Sequence, residues 1–238
     1  MFQLSAYPIT IPMMTPEDYL KAAFNGDLDS VRRYVEAGED INVTNKAGMS
    51  ALMLAIWQDG HRNIVDYLLE RNMDLTIRQQ SSDWRALTFA AVNNHPEILQ
   101  QLFQHGDTLD EDAGDWKALH FAVQYRSIGT VPILIAHGAD VNYRDEEGRT
   151  ALMRAAKNSD TAMMDILLEG GADVNLADDA GMTALMYAAQ KANIENVHKL
   201  IERGADIDAR NRAGESARDI AQGKKRPKIV AAIESGVA

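Results

Sequence analysis

Cysteine is absent from this chain of 238 residues, which excludes a disulfide scaffold and all thiol chemistry. Its absence does not by itself fix a compartment. Long apolar runs are missing too: no stretch reaches the ~20 apolar residues that a membrane-spanning helix needs. Positive charge is in the minority, with 24 Lys and Arg against 35 Asp and Glu and a formal net charge of −11. That balance argues against nonspecific nucleic-acid binding, which needs a basic footprint, and favours solubility and a basic partner. Near the N-terminus no Lys or Arg precedes Lys21, while Pro8, Pro12 and Pro16 interrupt any signal-like helical core. No small-residue cleavage site stands out there, so a cytoplasmic location is expected. Aromatic residues make up only 6% of the chain, so each of its three Trp carries information.

What the chain has instead is a repeat. The stretch Asp145 to Ala177 reads DEEGRTALMRAAKNSDTAMMDILLEGGADVNLA, and the sequence restates it above and below itself. Gly148 marks a turn, and Thr150 is placed to cap the helix that follows. Leu152, Ala155 and Ala156 keep helical spacing, and a second apolar helix runs from Met163 to Leu168 into Gly170-Gly171, a pair suited to a helix stop. One such helix pair cannot bury its apolar faces alone, so the unit requires stacked neighbours. An Ala-Leu pair recurs at Ala51, Ala86, Ala118, Ala151 and Ala184, with Ala217 at the same step, at intervals of 35, 32, 33, 33 and 33 residues.

Gly-x-Thr-Ala-Leu-Met-x-Ala-Ala, then Ile-Leu-Leu, then Gly-Ala-Asp-Val-Asn resembles the ankyrin repeat family, with Thr-Ala-Leu-Met in place of the usual Thr-Pro-Leu-His. The resemblance implies an all-α solenoid of stacked helix-turn-helix units with short β-turn fingers, whose function is to bind other proteins. Its expected layout is an extended segment at 1–16 and a repeat domain at 17–238. Within that domain a capping repeat at 17–44 precedes five repeats at about 45–79, 80–111, 112–144, 145–177 and 178–210, and a C-terminal cap follows at 211–238. Residues 1–16 read either as an apolar strap over the first repeat or as a flexible binding arm. Pro96 and Pro132 fall in the first turns of second helices, where a missing N–H is tolerated.

Catalytic constellations are not found. No two of the six His have the HxxxH spacing of a zinc site, and no Cys can complete one. His120 sits at the place of the family's own His and is expected to bond backbone. His105 and His137 precede glycines that end helices and read as caps. Asp107 to Asp115 looks superficially like a calcium loop but lacks its ligand spacing, and no glycine-rich loop follows a strand. No enzyme activity, cofactor or metal is therefore expected. The run Lys224-Lys225-Arg226-Pro227-Lys228 is the one foothold for a nucleic-acid contact, which is otherwise not expected; a solvated loop accounts for it as well.

The resemblance implies a concave binding face made of turn tips and first helices. By position it collects Met49, Trp57, Gln58, Trp84, Arg85, Asn93, Trp116 and Lys117 in the first half. Gln124, Tyr125, Arg149, Lys157, Asn158, Met182, Gln190 and Lys191 continue it. All three Trp fall on this face, a composition suited to an interface. Asp83-Trp84-Arg85 and Asp115-Trp116-Lys117 replace the usual Gly-x-Thr, losing a helix cap worth about 1 kcal/mol. Thr in place of Arg85 or Lys117 is accordingly expected to stabilise the fold. The alternative for Trp84 and Trp116 is a structural ladder across neighbouring turns. An acidic rim of Asp110, Glu111, Asp112, Asp115, Asp145, Glu146 and Glu147 surrounds the face and is suited to steering a basic partner. The expected partner is another protein with a basic surface and an apolar anchor, bound by a chain that is monomeric when free. A homodimer through the Trp-bearing face is the competing possibility.

Overall fold

The computed structural model describes residues 14–57, 60–71, 73–109 and 116–236, which form two compact units divided between Ser82 and Asp83. The first contains α1 (Pro16–Asn25), α2 (Leu28–Glu36), α3 (Ala51–Trp57) and α4 (Arg62–Leu69). The second contains α5 (Ala86–Val92), α6 (Pro96–Gln104), α7 (Trp116–Gln124), α8 (Val131–Ala136), α9 (Ala151–Asn158), α10 (Thr161–Glu169), α11 (Ala184–Lys191), α12 (Ile194–Glu202), α13 (Ala217–Gly223) and α14 (Pro227–Ser235). The repeating alanine opens five of these helices, at residues 51, 86, 151, 184 and 217. The strap expected of residues 1–16 lies outside the described residues up to position 13. Thr15 and Pro16 already belong to α1, as its cap and first residue, and the capping box between Thr15 and Asp18 closes that end.

In the first unit α1 packs on α3 and α2 on α4. In the second unit α5, α7, α9, α11 and α13 form one layer and α6, α8, α10, α12 and α14 the other. Small residues bring the first layer close: Ala90, Ala122, Ala155, Ala188 and Ala221 are all fully buried. Ala55 holds the same repeat position in the first unit and is also fully buried. Leu102, Leu134, Leu167 and Leu200, one on each of α6, α8, α10 and α12, are fully buried as well.

Each regular turn is built by one side chain. Asp145 Oδ1 accepts from the backbone N–H groups of Glu147 and Arg149, at 3.0 and 2.8 Å, while its own N–H bonds the Arg149 carbonyl. Asn45, Asp178 and Asn211 do the same in their repeats. This is the side-chain mimic of a backbone turn that Asn and Asp provide. Neighbouring tips are then joined by single bonds, from Gln80 N to Ala47 O in the first unit and from Asp179 N to Glu147 O in the second. Gly148 needs to be glycine twice over. Its φ is +74°, and a Cβ there would lie 2.6 Å from Asp179 Oδ1 on the next tip.

The irregular turn before α5 gains an interaction that sequence position did not disclose. Asp83 takes the glycine's place with φ +60°, and Arg85 stands at the N-cap without a side-chain cap bond, both as expected. Arg85, however, is buried. Its guanidinium reaches Asp107 Oδ1 and the Thr108 carbonyl, each at 2.6 Å, and the two side chains of the ion pair are 4% and 1% exposed. The lost cap is thus offset by a buried, hydrogen-bonded ion pair that ties the turn to the end of α6. This reverses the expected effect of restoring the cap. Arg85→Thr should destabilise the protein by about 3 kcal/mol, because it breaks a buried ion pair by removing one of its two charges. Urea unfolding of this variant decides the point, and a gain in stability would mean that the cap outweighs the pair.

Candidate functional site

In the second unit, turn tips and first helices leave two adjoining clefts. One, of about 170 Å³, is lined by Gln124, Arg149, Met153, Arg154, Lys157, Asn158 and Tyr187. The other, of about 200 Å³, is lined by His120, Phe121, Gln124, Tyr143, Asp145, Glu146, Glu147 and Arg154. Gln124 and Arg154 belong to both, and Arg154 Nη1 donates to Gln124 Oε1 at 3.2 Å, so this pair forms the divide. The first cleft carries three cations and no carboxylate, the second three carboxylates and one cation.

Asp145 organises the charges between them. Besides shaping its turn, it accepts from Arg149 Nε at 3.0 Å and Arg154 Nη2 at 2.5 Å through Oδ2. Burial works against its charge, but the bonds from Arg149, Arg154 and the Glu147 N–H prevail and hold its carboxyl down to about 2. Arg149 also bonds Glu147. Across the first cleft Lys157 Nζ lies 5.7 Å from the centre of the Tyr187 ring. Burial and donation of its hydroxyl to Asp178 Oδ2, at 2.6 Å, push Tyr187 up to about 12. His120 is 5% exposed and bonds the Arg149 carbonyl through Nε2 at 3.1 Å, the backbone role expected of it. Burial pushes its imidazole below its ordinary value, which keeps it neutral at pH 7.

The expected face is brought together in part. Gln124, Arg149, Lys157 and Asn158 line the first cleft, and Asp145, Glu146 and Glu147 the second. Tyr125, just past α7, is 58% exposed. Lys191 is exposed at the end of α11, while Gln190, Met182 and Asn93 are half-buried. Gln190 and Ala189 give their carbonyls to Arg226, which ties one cation of the basic run to the end of α11. Two residues expected on the open face are buried. Met49 is 4% exposed in the core of the first unit, and Arg85 is held in its ion pair at 3%. Gln58, Asp110, Glu111, Asp112 and Asp115 lie outside the described residues, as do the side chains of Trp116 and Lys117.

The tryptophans differ from one another. Trp57 is 50% exposed, with its ring edge-on to Phe24 at 6.4 Å. Trp84 is half-buried between Phe89 at 5.4 Å and Phe121 at 5.1 Å, on α5 and α7. It spans two repeats, as a ladder residue does. Arg154 and Tyr187 were not among the expected site residues. The signal for them was present, because residues 121, 154 and 187 follow one another at the repeat interval of 33.

Two outcomes follow from this geometry. Trp84→Ala should lower stability by about 2–3 kcal/mol, short of a fully buried Trp, whereas Trp57→Ala should change it by less than about 1 kcal/mol. Equal thermal melts for the two variants would contradict the difference in packing. The Asp145 carboxylate, its pKa depressed from 3.8 to about 2, should contribute stability above about pH 4 that is lost as the pH falls toward 2. Asp145→Asn should therefore cost on the order of 1 kcal/mol at neutral pH, partial exposure screening the pairs, and the gap to wild type should close in acid. A gap independent of pH would assign the loss to the turn instead.

Among the described residues, no helix is long and apolar enough to cross a membrane, and no group of three His, Cys, Asp or Glu could hold a metal ion. A family model described as ankyrin repeats (3 copies) matches the sequence over the overlapping stretches 20–112, 73–145 and 119–211. Among curated proteins, an L-asparaginase of Dirofilaria immitis is 30% identical over 144 residues, 60% of this chain and 24% of that protein. Ankyrin repeat and KH domain-containing protein mask-1 of Caenorhabditis elegans is 35% identical over 119 residues, 50% of this chain and 4% of that one. Human ankyrin repeat and SOCS box protein 6 is 36% identical over 116 residues, 48% of this chain and 28% of that one. The chain thus matches less than a third of the length of each of these relatives. Among solved structures, the ankyrin repeat domain of Bcl-3 superposes with a TM-score of 0.77 at 24% identity, over 92% of this chain and 98% of that domain. The human ASB11 ankyrin repeat domain gives 0.77 at 24% identity, over 90% and 96%. The fold is common to all three.

Proposed function

This chain belongs to the ankyrin repeat family, and on that premise we propose that it binds another protein on the face formed by its turn tips and first helices. Ankyrin repeat domains are in general non-enzymatic protein-interaction modules. The observation that carries the reading is the pair of adjoining clefts in the second unit, one lined by Arg149 and Lys157 and the other by Asp145, Glu146 and Glu147, sharing Gln124 and Arg154 and flanked by exposed Tyr125. Isolated charges on a surface need no explanation. Here they are ordered by Asp145 into two separate patches that a complementary surface can meet.

The proposed partner is basic overall and presents an apolar anchor. A net charge of −11 supports the first feature, since it would speed encounter with a cation-rich surface. Exposed Tyr125 supports the second, and Trp57 offers a further anchor point in the first unit. Two relatives, by name, carry ankyrin repeats beside a KH domain or a SOCS box, an arrangement in keeping with an adaptor role. The likeness to an L-asparaginase covers 24% of that protein and supplies no argument for catalysis here. A chain that is monomeric when free completes the proposal.

The partner can be captured from native extract with the tagged chain, identified by mass spectrometry, and its association rate followed against ionic strength. The rate should fall by about tenfold or more between low and high salt, as steering by complementary charge requires. A rate that is flat, or that rises with salt, rejects the basic partner. Tyr125→Ala should weaken binding by about 2 kcal/mol while leaving the melting temperature unchanged, the signature of an exposed aromatic anchor.

A further inference from the structure

We infer that the acidic cleft between α7, the turn at residues 143–147 and α9 receives one lysine or arginine side chain of the bound protein. This rests on the protein-binding reading above and specifies what one of its two clefts recognises.

The charge balance comes first. Asp145, Glu146 and Glu147 bring three carboxylates, while Arg149 and Arg154 bring the two guanidinium groups that pair with them. Asp145 is shared between both arginines and Glu147 is bonded by Arg149, so Glu146 is the carboxylate of the three that no ion pair among the described residues engages. One further cation makes the cluster neutral. An anionic group would meet an excess of like charge, and an apolar group would desolvate Glu146 without compensation.

The walls point the same way. Phe121 and Tyr143 are half-buried aromatic side chains lining the cleft, and aromatic rings attract ammonium and guanidinium groups. His120 forms part of the wall at 5% exposure, edge-on to Tyr143 with ring centres 5.3 Å apart. Its Nε2 is committed to the Arg149 carbonyl, which places the imidazole proton there and leaves Nδ1 an acceptor. Nδ1 is buried and has no hydrogen-bond partner among the described residues. Buried acceptors are rarely left unpaired, and a cationic donor suits this one. The volume of about 200 Å³ exceeds that of several waters at about 30 Å³ each, enough for one extended side chain. No group of three His, Cys, Asp or Glu among the described residues is arranged to hold a metal ion, so the donor set fits an organic cation better.

The test uses the full chain, labelled for NMR, titrated with N-acetyl-L-lysine amide and, separately, with N-acetyl-L-norleucine amide, its uncharged apolar counterpart. The lysine compound should give saturable shifts at the Phe121 and Tyr143 rings and the His120 imidazole, and the norleucine compound should not. Glu146→Gln, at an exposed position, should keep the wild-type spectrum and weaken the lysine response about fivefold, the scale of an exposed ion pair. Equal responses to the two compounds would show an apolar pocket without charge recognition. No saturable response to lysine, or the same response to magnesium chloride, would overturn the assignment as well. Because the probes bind the free chain, such failures leave partner capture and its salt dependence standing. Loss of the salt dependence with the lysine response intact would instead remove the basic partner and keep the pocket.

Discussion

A helix pair of this length has an apolar surface on both flanks and can cover neither by itself. Within each unit the remedy is contact between first helices through alanine: Ala90, Ala122, Ala155, Ala188 and Ala221 in the second unit, Ala55 in the first, all fully buried. A methyl group at the contact lets two helices approach closely enough for the leucines behind them to interlock. It also sets the spacing of the turns. Asp179 can bond the Glu147 carbonyl only if α9 and α11 stand at that separation. Larger side chains at these positions would force the helices apart and break packing and turn bonds together.

The turns show how a repeat tolerates variation. A regular tip needs Asn or Asp to fold the backbone onto its side chain and a glycine three residues later for the positive φ. Asp83 occupies the glycine position before α5 with φ +60°, a conformation Asp adopts more readily than most residues. The neighbouring Arg85 gives up the cap and becomes buried against Asp107. Local rules are broken there, but the compensation comes from the end of α6, 22 residues along the chain. A departure from the repeat at this turn is therefore structural in its effect, and Trp84, packed between Phe89 and Phe121, belongs to the same local solution.

The clefts arise because equivalent positions in successive repeats stand side by side. Residues 121, 154 and 187 share one place in the unit, and their identities as Phe, Arg and Tyr change the surface from one repeat to the next. Arg154 reaches back to Gln124 and Asp145, which divides the surface into a cationic and an acidic part. Asp145 serves both levels at once: through Oδ1 it folds the turn, and through Oδ2 it positions the arginines. Charge pattern and fold thus share one carboxylate.

Architecture was legible in the sequence because it depends on a local pattern repeated in phase. The Ala-Leu recurrence located the starts of four first helices, at residues 51, 86, 151 and 184, and Ala217 at the same step that of a fifth, while α7 begins two residues before its pair. Gly148 and Thr150 marked a turn and a cap, and His120 was assigned its backbone bond from position alone. Repeat register also carried Gln124, Arg149, Lys157 and Asn158 to one face, since a helix position maps directly onto a direction. Register could not tell that Arg85 turns inward or that Met49 is covered. Nor could it give Trp57 and Trp84 different surroundings, or show that Asp145 would gather Arg149 and Arg154. Those outcomes depend on which distant side chain lies within hydrogen-bonding or van der Waals reach. Such distances are set by the stacking of helices far apart in the chain, and only the tertiary structure decides them.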